Sequence, residues 1–299
     1  MASAKEMIWA ITGGSGQLGS SLSELLEFHG KSFISLSHRE LDVSNKQAVD
    51  ALISIKPDLI VNCAAWTNVD LAESNFDAAK RVNEGGVLNV SRAAKSLDIP
   101  LIHISTDYVF SGDRSEPWKP YEAKNPISKY GQTKALGEEA LLATYREGSV
   151  ILRTAWLYGS HGNNFAKTMI RKATKSTQSV RVVKDQIGQP TSTEDLAKLI
   201  LQVAETGLTN CILHATNSGE TSWYEFAREI FVLCGEQESR VKAVPSSEFP
   251  TPAKRPSYSV LDHSNWIEFG LASPRAWKEA LVEIFPKIKL AVEKESKNG

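Results

Sequence analysis

Cysteine is scarce in this chain of 299 residues, which contains only Cys63, Cys211 and Cys234. An odd number of widely spaced cysteines does not build a disulfide framework. The sequence also has no Cys-x-x-Cys or Cys/His cluster that would indicate structural zinc. We therefore expect buried free thiols in a reducing compartment, which favours a cytoplasmic protein.

The chain also has no excess of charge of either sign and no long apolar run. Its 34 Lys and Arg balance 35 Asp and Glu, for a net charge of -1, so we expect no surface that attracts nucleic acid or an anionic membrane. No apolar run is as long as a bilayer span requires. The apolar stretch near the N-terminus runs into a glycine turn, unlike a signal peptide. Nucleic acid and membranes are therefore excluded as predicted partners.

Short apolar runs alternate with longer amphipathic stretches over the first half of the chain. The runs predict strands at Met7–Thr12, Ser32–Ser37, Leu59–Cys63, Leu101–Ser105 and Val150–Thr154. The stretches predict helices at Leu18–His29, Lys46–Lys56, Asp77–Leu97 and Pro126–Tyr145. This alternation predicts an α/β fold, a doubly wound parallel sheet of the Rossmann type with helices on both faces.

A smaller lobe is expected after about residue 158, where the alternation weakens. The sequence predicts a strand at Val180–Val183, helices at Thr193–Glu205, Ser222–Leu233 and Pro274–Val292, and a proline-rich loop at Pro245–Pro256. We expect residues 1–157 and 180–214 to form the Rossmann domain. Residues 158–179 and 215–299 would then form a smaller C-terminal α/β lobe that binds the substrate.

A glycine-rich turn directly follows the first predicted strand and opens the first predicted helix. Gly13, Gly16 and Gly19 are spaced three residues apart. In a dinucleotide site the first glycine allows the tight turn, the second lets the backbone approach a pyrophosphate, and the third lets the helix pack close to the strand. The helix start offers free N–H groups and the positive end of its dipole to the phosphates. This context favours a dinucleotide-binding site over an ordinary turn.

The residues after the second strand predict which dinucleotide is bound. Sites for NAD usually place an Asp or Glu at this point for the ribose 2′-hydroxyl, but here Ser37, His38 and Arg39 come before Glu40. The guanidinium of Arg39 can pair with a 2′-phosphate, so we expect NADPH. A strand longer by two residues would bring Glu40 to the ribose, which leaves NADH possible.

Tyr130 and Lys134 are four residues apart on a predicted helix and therefore share a face. The helix follows the strand that ends at Ser105 and Thr106, and ligands bind at the carboxyl ends of strands in a doubly wound sheet. A neighbouring ammonium lowers the pKa of a phenol, which can then give a proton to a carbonyl oxygen as hydride arrives. The hydroxyl of Ser105 or of Thr106 can hydrogen-bond the same oxygen.

Longer segments carry a resemblance that covers nearly the whole chain. They are GGSGQLG at 13–19, NCAAWT at 62–67, STDYVF at 105–110, YGQTK at 130–134, LRTAW at 152–156, and Arg255-Pro256 followed by Ser259. Together they resemble the dTDP-4-dehydrorhamnose reductase family of the extended short-chain dehydrogenase/reductase superfamily. The resemblance implies a nucleotide-sugar substrate and NADPH-dependent reduction of the C4 ketone of dTDP-4-dehydro-β-L-rhamnose to dTDP-L-rhamnose.

The resemblance also implies a role for each matching residue. Thr106, Tyr130 and Lys134 would be catalytic, with Tyr130 as the proton donor. The cofactor would contact Gly13, Gly16, Gln17, Leu18, Arg39, Asp42, Val43, Ala64, Ala65, Tyr130 and Lys134. The nucleotide sugar would contact Thr106, Asp107, Tyr108, Trp156 and Arg255. The alternatives are an ordinary core position for Trp156 and a structural ion pair for Arg255.

Other functions and ligands stay open at this point. One alternative is another sugar-nucleotide reductase or epimerase of the superfamily, since Trp66 stands where the family usually has Tyr. A second is a non-catalytic subunit that resembles the regulatory β subunit of methionine adenosyltransferase. Some relatives are thought to hold magnesium at a dimer contact near Glu194 and Asp195, but these carboxylates equally suit a helix start. We therefore predict no metal and leave a homodimer open.

Overall fold

The computed structural model describes residues 7–297, so residues 1–6 and 298–299 of the predicted domains lie outside the described residues. In the described part the strands are β1 (Trp9–Thr12), β2 (Phe33–Leu36), β3 (Leu59–Asn62), β4 (Leu101–Thr106), β5 (Ser149–Thr154), β6 (Leu157–Tyr158), β7 (Val180–Val183), β8 (Ile187–Gly188), β9 (Thr191–Ser192), β10 (Cys211–His214), β11 (Thr221–Ser222) and β12 (Val241–Val244). The α-helices there are α1 (Gln17–Phe28), α2 (Gln47–Ile55), α3 (Val69–Ser74), α4 (Phe76–Lys80), α5 (Val87–Leu97), α6 (Lys129–Tyr145), α7 (Phe165–Lys175), α8 (Thr193–Thr206), α9 (Trp223–Leu233), α10 (Ser264–Glu268) and α11 (Trp277–Lys297).

A six-stranded sheet forms the centre of the molecule. Its order is β2-β1-β3-β4-β5-β10, and every neighbouring pair is parallel. The central strands are buried at every position, which explains their continuous apolar sequences. The chain leaves β1 toward opposite edges of the sheet, and ligands bind at such a switch point, beyond the carboxyl ends of the strands. The predicted doubly wound parallel sheet is confirmed.

Helices cover both faces of this sheet. Leu22 of α1 and Ile200 of α8 are fully buried on one face, and Leu52 of α2 and Val90 of α5 are fully buried on the other. Each such side chain contributes roughly 1.5–3 kcal/mol by leaving water. The two cores hold the strand ends rigid, so side chains that follow these strands are presented at fixed positions.

A third core lies in the later part of the chain. It contains Ile170 of α7, Phe226 of α9 and Ile284 of α11. Strand β7 pairs in parallel with β12 and not with the main sheet, and its Val182 belongs to this core. The sequence predicts that residues 180–214 belong to the Rossmann domain. Strand β7, at the start of this range, packs instead in the third core. The division into two domains stays a prediction.

The segment predicted as one helix, Asp77–Leu97, is helical but is not a single α-helix. Between α4 and α5, residues Arg81–Gly86 form a π-helical turn. Its wider spacing leaves Asn83 fully buried. A Cβ on Gly86 would lie 2.7 Å from Cγ2 of Val43, so the turn packs tightly against the loop after β2. Single π turns of this kind are frequent at functional sites. The apolar spacing of this segment predicts a continuous α-helix and does not indicate the turn.

Other boundaries and burial states differ slightly from the predictions. Helix α6 begins at Lys129 and not at Pro126, because the hydroxyl of Ser128 accepts a hydrogen bond of 3.1 Å from the N–H of Gly131 and caps the helix. All three cysteines are free, but only Cys211 is buried and the other two are half-buried. Within residues 7–297 no helix is long and apolar enough to cross a membrane.

Candidate active site

The glycine turn joins β1 to α1 at the carboxyl edge of the sheet. Gly13 has a φ of +67°, and a Cβ there would lie 2.7 Å from the backbone nitrogen of Ala64, so glycine is required. A Cβ on Gly16, by contrast, would meet only the carbonyl oxygen of Gly13, at 3.1 Å. No side chain caps the start of α1. The first turn of α1 therefore offers N–H donors that no side chain caps, which fit the phosphates of a dinucleotide.

The two residues after the turn are engaged with the protein through their side chains. Oε1 of Gln17 accepts a hydrogen bond of 3.1 Å from Nδ2 of Asn164. Leu18 packs into the core between α1 and the sheet. Their backbone N–H groups belong to the first turn of α1, where a ligand can bind them. The predicted cofactor contacts of Gln17 and Leu18 would therefore be made by their backbones.

The loop after β2 contains Arg39, which favours NADPH, and Glu40, which would favour NADH. The strand ends at Leu36, so it is not extended toward Glu40. The carboxylate of Glu40 instead accepts bonds from the N–H and hydroxyl of Ser37, at 2.8 and 2.6 Å. These bonds lower the pKa of Glu40. Arg39 is exposed, and no hydrogen bond or ion pair to it is recorded within residues 7–297. This geometry leaves the guanidinium available and occupies the carboxylate.

The remaining predicted cofactor residues follow β2 and β3. Asp42 is exposed and its Oδ1 accepts a bond of 3.0 Å from the N–H of Ser44, whereas Val43 is buried. Ala64 lies against the glycine turn, as the contact with Gly13 shows, and Ala65 follows it, half-buried. The structure therefore brings Ala64 to the glycine turn. Asp42 and Val43 lie in the loop after β2.

Asn83 links the loop after β3 to the helix that carries Tyr130. Its Oδ1 accepts a bond of 2.9 Å from the N–H of Trp66, and its Nδ2 donates to the carbonyl of Trp66 at 3.1 Å. The same Nδ2 donates to Oγ1 of Thr133 at 3.0 Å. Thr133 directly precedes Lys134 on α6. The buried amide in the π turn therefore fixes the predicted cofactor-lining loop against the predicted catalytic helix.

Thr106, Tyr130 and Lys134 meet at the carboxyl end of β4. Thr106 is the last residue of the strand, and its hydroxyl shares a hydrogen bond with the phenol of Tyr130. Nζ of Lys134 donates a bond of 2.7 Å to the carbonyl of Ile104, two residues back along β4. The ring of Tyr108 meets that of Tyr130 edge-on at 5.6 Å. The structure thus brings the predicted catalytic residues together.

Burial sets the charge states of Tyr130 and Lys134. It raises the pKa of Tyr130 above that of an ordinary phenol, and the hydrogen bond with Thr106 opposes this only in part. The prediction that Lys134 lowers this pKa is wrong for the described structure, because the ammonium is bonded to Ile104 and burial dominates. Burial lowers the pKa of Lys134 itself to about 8, against the opposing charge of Glu138. At neutral pH the phenol therefore keeps its proton and most of the lysine is charged.

The residues on either side of Thr106 have different roles. The hydroxyl of Ser105 donates a bond of 2.6 Å to Oε1 of Glu138 and points to the protein, whereas that of Thr106 lies beside Tyr130. Asp107 is fully buried, and its Oδ1 accepts a bond of 2.9 Å from Thr106. Burial raises the pKa of Asp107 to about 6. This carboxylate therefore holds the Thr106 hydroxyl at an energetic cost.

Arg255 occupies the ion pair that the sequence left as its alternative. Its Nη2 donates a bond of 2.7 Å to Oδ2 of Asp70 on α3, and its Nη1 donates to the hydroxyl of Tyr108 at 3.3 Å. The N–H of Ala253 also donates to Asp70, at 3.2 Å. Asp70, which the sequence reasoning missed, therefore fixes the proline-rich segment beside Tyr108.

Trp156 is half-buried beyond the end of β5. Its ring stacks on that of Trp223 at a centroid distance of 3.6 Å and an angle of 10°. Its φ of +48° lies in the left-handed region, which is uncommon for a bulky side chain. Strained backbone of this kind is concentrated at functional sites, and the predicted contact of Trp156 with the substrate stays a prediction.

Glu194 and Asp195, at the start of α8, are both engaged. Lys287 donates to Glu194 at 2.6 Å. Asp195 accepts bonds of 2.8 and 2.7 Å from Nε and Nη2 of Arg275, and one of 2.7 Å from Nδ2 of Asn217. Within residues 7–297 no group of three or more His, Cys, Asp or Glu is placed to hold a metal ion. These contacts agree with a structural role at the helix start, and the absence of a metal stays a prediction.

Known proteins resemble this chain over nearly its whole length. A dTDP-4-dehydrorhamnose reductase of Streptomyces griseus is 42% identical over 286 residues, which cover 94% of this chain and 93% of that protein. A dTDP-4-keto-6-deoxy-D-glucose reductase of Streptomyces niveus is 40% identical over 279 residues, covering 93% and 96%. These relatives confirm the prediction of an oxidoreductase.

The likeness extends to a solved structure. A dTDP-4-dehydrorhamnose reductase from Bacillus anthracis, in complex with NADP, superposes with a TM-score of 0.90 at 37% identity, covering 94% of this chain and 99% of that one. NADP is the cofactor that the sequence predicted. Residues 7–290 match the family model described as RmlD substrate binding domain. That match includes the glycine turn, the helix of Tyr130 and the later core, so the chain belongs to the RmlD substrate binding domain family.

Proposed function

We propose that the protein reduces the C4 ketone of dTDP-4-dehydro-β-L-rhamnose to give dTDP-L-rhamnose, with NADPH as the reductant. The observation that carries this proposal is the buried meeting of Thr106, Tyr130 and Lys134 at the end of β4, on the sheet edge that also carries the glycine turn. Relatives that are named for reduction of 4-keto sugars support it.

Bound NADPH supplies the hydride for this reaction. Tyr130 supplies the proton: its raised pKa keeps the phenol protonated, so it can protonate the carbonyl oxygen as negative charge develops there. The Thr106 hydroxyl lies beside this phenol, and it orients the same oxygen through a hydrogen bond that replaces its bond to Asp107. Lys134 lies on the same helix face, where its ammonium would donate hydrogen bonds to the bound cofactor.

The nucleotide sugar would lie between this centre and the later core. The indole of Trp156 offers an apolar surface for the methyl-bearing face of a deoxysugar. Arg255 would bind the diphosphate in place of Asp70, because its fork of donors suits phosphate oxygens. The buried carboxylate of Asp107, at the end of β4, is placed to accept a bond from a sugar hydroxyl.

The proposal is tested by following the loss of NADPH absorbance with freshly generated dTDP-4-dehydrorhamnose. A parallel reaction with dTDP-4-keto-6-deoxy-D-glucose distinguishes the two sugars for which the relatives are named. We expect turnover with the first sugar, dTDP-rhamnose as product, and a higher kcat/KM than with the second. Higher kcat/KM for the second sugar would contradict the proposed substrate while leaving the reaction class intact.

A complete absence of turnover has a different meaning. If the protein binds NADPH, measured by its fluorescence, but reduces neither sugar, the reductase proposal fails. The non-catalytic, regulatory role would then be favoured, and a search for a partner chain by pull-down would follow. An enzyme that retains NAD tightly through purification would instead favour the epimerase alternative.

A further inference from the structure

The end of β4 is bonded to one face of α6 at successive positions. Ile104 accepts from Lys134 at 2.7 Å, and Thr106 shares a hydrogen bond with Tyr130. Ser105 lies between them, and its hydroxyl donates a bond of 2.6 Å to Oε1 of Glu138. Glu138 lies one helical turn beyond Lys134 on α6. Residues 130, 134 and 138 follow the spacing of four that places side chains on one helix face.

Glu138 is a fully buried carboxylate with an unusual number of partners. Its exposure is 0%. It accepts bonds of 2.8 and 2.7 Å from Nε and Nη2 of Arg153, and Nζ of Lys124 lies 3.5 Å away. Burial of such a charge costs several kcal/mol, and an apolar pair of similar volume is often as stable. Stability alone therefore does not account for a carboxylate at this point.

The charge of Glu138 acts on Lys134. The groups that face Lys134 from the neighbouring strands are Cys63 after β3 and His103 on β4. Burial raises the pKa of Cys63 to about 12 and lowers that of His103 well below its usual value, so both are neutral near pH 7. Burial also acts to raise the pKa of Glu138, but its partners Arg153, Lys124 and Ser105 together outweigh it and the net pKa is lowered. Of these groups, Glu138 is the one that carries a negative charge.

We propose that Glu138 is a positioning residue of the active site, whose carboxylate fixes the end of β4 through Ser105 and retains the ammonium of Lys134 beside Tyr130. The proposal rests on the proposed function for the catalytic part played by Lys134. It assigns to Glu138 no contact with substrate or cofactor. The residue acts through two neighbours, Ser105 and Lys134.

The charge of Lys134 is measured directly by NMR of the full-length chain labelled with ¹³C-lysine. The Cε resonance of Lys134, assigned by its loss in Lys134→Met, is expected to titrate near pH 8. In Glu138→Gln we expect the midpoint to fall by about one pH unit or more, because a facing opposite charge is removed. Glu139→Gln is the matched control, since Glu139 also pairs with Lys124 but is exposed. An unchanged midpoint in folded Glu138→Gln would overturn the proposal.

This measurement needs no substrate, so its failure is distinguishable from failure of the proposed function. Where reduction is observed, the alkaline limb of the kcat profile in Glu138→Gln should move to lower pH with the lysine midpoint. A uniform loss of kcat at every pH, with no movement of the limb, would show a merely structural role and contradict us. Ser105→Ala keeps the carboxylate, so it should lower kcat without moving the midpoint.

A second variant covers the case in which Glu138→Gln does not fold. Lys124→Met removes the cation that lies 3.5 Å from the carboxylate and leaves Arg153 paired. Because Lys124 offsets part of the negative charge of Glu138 that faces Lys134, the midpoint of Lys134 should rise. A midpoint that stays constant or falls would overturn the proposal. Thermal unfolding followed by circular dichroism establishes that each variant is folded before it is titrated.

Discussion

Gly188 leaves the space that the indole ring of Trp156 occupies. A Cβ built on Gly188 would lie 2.6 Å from ring atoms Cε2 and Cζ2 of Trp156. The indole also stacks on Trp223, and its own backbone is left-handed. The indole position is therefore fixed by three features: the absence of a side chain at Gly188, the ring of Trp223 and the left-handed backbone of Trp156. Such strain persists only where the surroundings fix it.

Gly188→Ala should therefore displace the Trp156 ring and weaken binding of the nucleotide sugar. We expect KM for the sugar to rise by about tenfold to 100-fold, with the Kd for NADPH unchanged, since a Cβ on Gly188 would meet Trp156 and not the glycine turn. Steady-state kinetics and NADPH fluorescence titration check the two values. Gly85→Ala is the control, because a Cβ there meets no atom within 4 Å. Equal KM in both variants would mean that Trp156 does not contact the sugar.

Tyr130→Phe removes the proposed proton donor and keeps the ring. We expect kcat to fall by about 100-fold to 10,000-fold, the range found for loss of a positioned acid, with nearly unchanged NADPH affinity. Tyr145→Phe on the same helix controls for loss of a phenol, since its hydroxyl contacts Asp98 at 3.4 Å and not the site. Turnover of Tyr130→Phe close to that of the parent would remove Tyr130 from its proposed role.

Arg39→Ala tests the preference for NADPH. Because the guanidinium is expected to pair with the 2′-phosphate, its loss should weaken NADPH binding by about tenfold or more and leave NADH binding almost unchanged. Arg92→Ala, an exposed arginine on α5, controls for the loss of one surface charge. If NADPH and NADH weaken equally, Arg39 does not contact the 2′-phosphate.

Asp107→Asn should stabilise the protein in a pH-dependent way. The folded pKa of Asp107, about 6, lies above the ordinary value of 3.8. Its charge therefore opposes folding at neutral pH, and this cost disappears as pH falls, when both states are protonated. We expect the variant to gain about 1–3 kcal/mol in the free energy of unfolding at neutral pH, and little near pH 4. Urea denaturation at both pH values measures this.

Two comparisons distinguish this account from a general effect of removing charge. Asp113→Asn, at an exposed aspartate, should show no such pH-dependent gain. Asp107→Asn should also raise KM for the nucleotide sugar, since the stability cost is associated with a binding group. A gain of the same size at neutral and acid pH would contradict the raised pKa of Asp107.

The main sheet was predictable because buried parallel strands appear in the sequence as continuous apolar runs between amphipathic helices. Strands β1, β3 and β4 are of this kind. Helix α7 was missed although Ala166, Met169, Ile170 and Ala173 follow its period and are buried. Strand β10 was not singled out because its four residues, CILH, are too short for periodicity to separate strand from helix.

The site was predictable as a set of residue types, and much less so as a set of contacts. The spacing of four from Tyr130 through Lys134 could also have found Glu138. The pair of Asp70 and Arg255 is separated by 185 positions, and no local pattern indicates it. Whether the pKa of Tyr130 is raised or lowered depends on how deeply the phenol is buried. The sequence does not indicate that depth.

The central claim is that hydride reaches C4 of the sugar at this site. The most direct measurement is reduction of dTDP-4-dehydrorhamnose with NADPH that carries deuterium at nicotinamide C4, using both stereospecifically labelled forms, and NMR of the sugar product. We predict that one of the two forms yields dTDP-rhamnose with deuterium at C4 and no H4 signal, and that this transfer is lost in Tyr130→Phe. Product with hydrogen at C4 from both labelled forms, or deuterium at another carbon, would contradict the account.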